Sequence, residues 1–232
     1  MWKTNYGKYA RIALLLMLLL FFTILMFNIS LQYFPIRKDV AFLQIKQWVF
    51  RSYNSIVSNI WFTAFYIHVI TSSFCLLAGF TQFFRNTLPN GLHRKFGKFY
   101  IVVVLFFAAP SGLIMSFFAN GGPWSITAFL SLSLLWIFST LMGFISARRK
   151  KFTVHGSWMI ISYALALSAL TLRAWKWSIV NLTDLNLKPM DLYRLVAWLG
   201  WVPNLIVALL LIKWRVHQKL FAAKKAFHAE KY

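Results

Sequence analysis

Three histidines lie in or at the edge of long apolar runs, and their spacing decides what chemistry they can do. His93 stands in Leu92-His93-Arg94-Lys95-Phe96-Gly97-Lys98-Phe99-Tyr100, where a basic loop turns into an apolar run. His155 follows Arg148-Arg149-Lys150-Lys151 at a second such junction. Two imidazoles at matching depth on rigid, parallel helices can hold a metal or a haem iron. The competing expectation is that interfacial histidines face headgroups as Lys and Arg do. His68 lies inside an apolar segment. Steps of three and four from it read His68, Ser72, Cys75, Gly79, Gln82, a small and polar stripe on a Phe, Ile and Leu surface. Such a stripe faces protein and not lipid. It predicts either a ligand-facing imidazole or a packed one bonded to a backbone carbonyl.

Depth sorts these groups into two layers. On the last of the bundle runs, the His155 face carries Ser162, Ala166, Ala169 and Arg173, the last ~27 Å along a straight helix. From Gln82 to His68 the same rise gives ~21 Å. His93, His155 and Gln82 then form one layer, and His68 and Arg173 the other. Arg173 can equally be a helix-end cation whose head reaches water.

The elements that carry these residues must be transmembrane helices. The chain has 232 residues, 60% hydrophobic and only 12% charged, and its apolar runs approach the ~20 residues that cross a bilayer. The net charge of +21 flanks apolar runs and forms no stripe on a polar domain, which excludes a nucleic-acid partner. The single cysteine, Cys75, rules out an intrachain disulfide. There is no Gly-rich phosphate loop. All four acids stand outside the apolar runs, which disfavours carboxylate-based hydrolysis.

The expected fold is all-α, with six transmembrane helices. The first is a retained helix over 12–27, followed by a mixed, amphipathic surface piece up to residue 58. Spans are expected over 59–84, 96–118, 125–147 and 153–175, and a last one over 192–212 kinked by Pro203. Short connections make neighbours antiparallel, so helices two to five should form a central four-helix bundle. Three regions result: 1–58, the histidine-bearing bundle 59–175, and 176–232 with the last helix and a basic tail. The small-residue stripes Ala108-x3-Gly112-x3-Ser116 and Ser139-x3-Gly143-x3-Ala147 are expected to let helices three and four pack closely. Of the 25 Lys and Arg residues, 17 fall on one side if both termini are cytoplasmic, the side where such residues accumulate.

Over residues 68–173 the chain resembles a bacterial family of predicted membrane proteins, the domain of unknown function 2306. The matching pieces are His68, Gln82 within Gly79-Phe80-Thr81-Gln82-Phe83, Leu92-His93-Arg94-x2-Gly97-x2-Tyr100, Gly121-Gly122, His155-x2-Trp158-Met159 and Thr171-Leu172-Arg173. Gly156 and Ile161 stand where the family often has arginine. The layout is similar to that of cytochrome b561 and ferric-reductase membrane domains. That likeness implies a multi-pass protein of the bacterial inner membrane that carries electrons. In it His93 and His155 ligate one haem b, Arg94 and neighbouring cations pair with its propionates, and His68, Gln82 and Arg173 line cofactor sites, His68 accepting a proton from a quinol. The lipid bilayer is the certain partner under this reading, with a quinone or a redox protein as the second. Two alternatives stand beside it. One is a non-catalytic binding, transport or assembly subunit with structural histidines. The other is a metal-dependent membrane enzyme with His93, His155 and His68 around one ion.

Overall fold

The computed structural model describes residues 24–33, 41–47, 55–82 and 91–215, with isolated positions at 13, 17, 20, 21 and 51. Two compact units divide at residue 52, Met1–Ser52 and Tyr53–Tyr232. In the first, the short helix α1 (Ala41–Ile45) buries Leu43 and leaves Ile45 exposed. Lys46 is also buried, where the sequence suggested a surface-lying polar position. Half of the expected first span over 12–27 lies outside the described residues.

The second unit contains helices and no strand among its described residues. Its elements are α2 (Ser55–Thr81), α3 (Leu92–Ser116), α4 (Pro123–Arg148), α5 (Phe152–Ala166), α6 (Ser168–Leu182), α7 (Pro189–Leu199) and α8 (Val202–Lys213). Four helices are long and apolar enough to cross a membrane: α2, α3, α4 and the stretch Pro189–Lys213 that joins α7 to α8. Counting the bent pair α5–α6 makes five. Their outward faces carry Ile60, Phe74, Phe106, Phe138, Phe144 and Val207, all exposed. A helix apolar all round is stable only where its outer face meets hydrocarbon.

The expected straight span over 153–175 is instead two helices bent by 45° at Leu167. No Pro or Gly stands at the bend. Its cause is a side chain inserted into the ladder: Asn204 of α8 donates its amide to the Ala164 carbonyl at 3.1 Å. The ~27 Å straight-line offset between His155 and Arg173 therefore does not hold. The expected kink at Pro203 is a break at Gly200–Trp201, because proline has no N–H and its ring clashes with the preceding turn.

Packing follows the chain. α2 meets α3, α3 meets α4, α4 meets α5, and α5 also touches α2 and α8. Between these helices the core is polar in one place. Trp136 Nε1–H donates to Tyr100 Oη at 3.3 Å, Tyr100 lies 2.8 Å from Ser162 Oγ, and Ser162 2.7 Å from Thr140 Oγ1. Thr140 donates to the Trp136 carbonyl at 2.7 Å. An indole only donates and a carbonyl only accepts, so the hydrogens run one way round: Trp136 to Tyr100 to Ser162 to Thr140 and back to Trp136. The ring is closed and satisfied, as a buried polar network must be. It ties α3, α4 and α5 together.

A candidate histidine site in the membrane

His68 projects from α2 into a notch in α3. In that notch the helix widens by one residue over Val104–Ala108, where the Ala109 N–H bonds the carbonyl five back, that of Val104. Pro110 is the local reason, since it removes an N–H from the regular ladder. Widened turns of this kind recur at functional sites. His68 Nδ1 lies 2.8 Å from the Ala108 carbonyl oxygen. The carbonyl can only accept, so Nδ1 carries the hydrogen and Nε2 holds the free lone pair. Gly112 makes the room. A Cβ there would stand 3.0 Å from His68 Cε1 and 3.1 Å from Nδ1, with Ser133 Oγ of α4 3.5 Å away. The stripe at Ala108 and Gly112 thus serves helix two as much as helix four.

Arg173 is exposed; its charge acts on His68, while its Nη1 donates to the Ala169 carbonyl of its own helix at 2.7 Å. The sequence reading placed His68 and Arg173 in one layer. Ala108, Pro110 and Gly112 were the partners missed as such. The signal available was Pro110 within an apolar run, two residues before a glycine.

At the opposite end, His155 Nδ1–H donates to the Gly143 carbonyl of α4 at 2.8 Å, which again points Nε2 away as the free acceptor. His93 is the second residue of α3 and half-buried, and Arg94 beside it is exposed. Gln82 faces Gly97 of α3 and donates to the Ala78 carbonyl at 3.2 Å. The second small-residue stripe meets helix five and not helix three: a Cβ on Gly143 would stand 2.7 Å from Met159 Sδ.

A haem between His93 and His155 needs two imidazoles and a slot for the macrocycle. The donor set is right in kind, and a Nδ1–H bonded to a carbonyl is the usual support of a ligating imidazole. At the glycines of this level, Gly97 faces Gln82 and Gly143 faces Met159, with Gln82 Oε1 3.0 Å from where a Cβ on Gly97 would lie. About 10 Å deeper by helix rise, the bond between Tyr100 and Ser162 closes the space between α3 and α5. The glycine surfaces against which a macrocycle could pack are occupied in this layer. The three-histidine ion site fails on separation. Among the described residues no three of His, Cys, Asp or Glu gather as a metal ion would need.

The apolar spans define a polytopic membrane protein, all-helical among its described residues. The family model described as "Predicted membrane protein (DUF2306)" matches residues 65–212, and the chain belongs to that family. No curated protein and no solved structure matches it.

Proposed function

We propose that this is a multi-pass protein of the bacterial inner membrane that binds the headgroup of a lipid-soluble hydroxyl compound, a quinol being the representative case, at His68. The observation that carries this reading is the fixed tautomer of His68. Its Nδ1–H is held by Ala108, so Nε2 is set to accept a hydroxyl proton, with the Arg173 charge nearby. A quinol would supply the two-electron chemistry. The chain would orient the headgroup and hold the proton at Nε2. Helices α2 to α5 form the four-helix bundle around this site, a reading supported by their contacts in a closed ring. Six spans follow if 12–27 is the first.

His68→Leu tests the site. Binding of a short-chain quinone analogue to the purified protein in lipid nanodiscs, followed by tryptophan quenching, should weaken at least tenfold while folded yield is kept. A histidine that only packs would instead cost yield, since its bond to Ala108 is lost, about 0.5–1.5 kcal/mol net, with Ser111 Oγ still donating to that carbonyl at 3.0 Å. Full binding together with full yield refutes both roles. A Soret band that disappears on removing His93 or His155 would restore the haem reading in place of this one.

Orientation is a second expectation. The basic turn 147–152 and the 213–232 tail should be cytoplasmic and the Gly121-Gly122 turn outside. Because Cys75 is buried, cysteines placed at Lys150 and at Gly122 can be labelled against a low background. Labelling of both from one side would overturn the topology.

A second reading is a structural or assembly subunit. It is favoured by the carbonyl bonds of His68 and His155, which alone would justify keeping both histidines.

A further inference from the structure

Two helix breaks meet where α5 gives way to α6 and α7 to α8. Asn204 Nδ2 lies between three oxygens: Ala164 O at 3.1 Å, Thr171 Oγ1 at 3.0 Å and Gly200 O at 3.2 Å. The Thr171 hydroxyl in turn faces the carbonyls of Leu167 and Ser168, both at 3.2 Å, and that of Gly200. Six donor–acceptor contacts are thus served by three hydrogens, two from the amide and one from the hydroxyl. Four carbonyl oxygens thus face one amide and one hydroxyl where the two helix breaks meet.

α5 gives way to α6 and α7 to α8 here, and the Ala164 and Gly200 carbonyls at the two breaks both face Asn204. In membrane proteins, carbonyls freed at broken helices are the groups that coordinate alkali cations. We infer that this junction is a binding site for a monovalent alkali cation, held by Ala164 O, Gly200 O and Thr171 Oγ1, with Asn204 turning its amide to present Oδ1 as the fourth oxygen. The rotation exchanges the two ends of a near-symmetric amide. The neutral oxygens and the absence of any carboxylate from the set suit a single charge better than Ca²⁺. Arg173 follows Thr171 by two residues, about 200° round the helix, and its guanidinium turns back to Ala169. Gly200 is needed for the approach: a Cβ there would lie 2.9 Å from Leu172 Cβ.

The test is thermal unfolding of the full chain in nanodiscs, in NaCl, KCl or choline chloride at equal ionic strength. Na⁺ or K⁺ should raise Tm by about 3 °C over choline at ten times the Kd, and Asn204→Leu and Thr171→Val should each remove the difference. Equal stability in all three salts overturns the site, as does an undiminished response in both variants. Should Asn204→Leu fail to fold, Asn204→Asp decides the matter. A carboxylate among these oxygens should make folding more dependent on the alkali cation, and indifference to it refutes the proposal.

Discussion

Gly79→Val should fail to give a folded protein. A Cβ at this position of α2 would lie 2.4 and 2.5 Å from Cδ2 and Cε2 of Tyr163 and 2.9 Å from Cε2 of Tyr100. Neither ring can step aside cheaply. Tyr163 is anchored by its hydroxyl to the Leu76 carbonyl at 3.1 Å, and Tyr100 belongs to the closed hydrogen-bond ring with Trp136 and Ser162. Overpacking of a filled core costs about 1–3 kcal/mol where neighbours can relax. Here α2 must separate from α3 and α5, so at least about 3 kcal/mol is expected, a large share of the 5–15 kcal/mol of a typical protein. Loss of the monodisperse peak in detergent, or a fall in Tm beyond about 10 °C, is the readout. A variant with wild-type Tm would show that the rings are not held as described.

Tyr100→Phe should be the next most damaging change for so small an edit. It deletes one oxygen and leaves two groups stranded, the Trp136 indole N–H without an acceptor and Ser162 Oγ without its donor. Both sit in a fully buried layer with Thr140. Each orphaned group costs about 1–3 kcal/mol, so a loss of about 2–4 kcal/mol is expected by denaturant or thermal unfolding. Ser162→Ala breaks the same ring, so the double variant should lose clearly less than the sum of the two single losses. Strict additivity would mean that the hydroxyls do not act as one network. The closed direction of the ring also bears on function. With its last hydrogen spent on the Trp136 carbonyl, it holds helices together and offers no open end through which a proton could pass.

How far the chain could be read varied with the range of the cause. Apolar run length predicted the four long spans to within about four residues, because crossing hydrocarbon imposes a length on each helix separately. The stripe His68, Ser72, Cys75, Gly79 marked the protein-facing side of α2, since only that side tolerates small and polar groups. Pro203 announced the break before α8, because a missing N–H is a local fact. What His68 touches, by contrast, depended on a widened turn forty residues away, and periodicity within α2 carries no trace of it.

The bend at Leu167 had no local sign at all. It rests on Asn204 reaching the Ala164 carbonyl, and that meeting exists only once α8 lies along α5. The same holds for the inner layer. Residue types put two histidines at one depth and made a haem conceivable, but whether a macrocycle has room between them turned on Gln82 and Met159 filling Gly97 and Gly143. Helix length, membrane placement and the face of each helix are properties of consecutive residues, and the chain carries them openly. Space is not such a property. It is what several helices leave between them, so the closed histidine layer, the notch that holds His68 and the oxygen-rich junction at Thr171 and Asn204 came into being only with the packing.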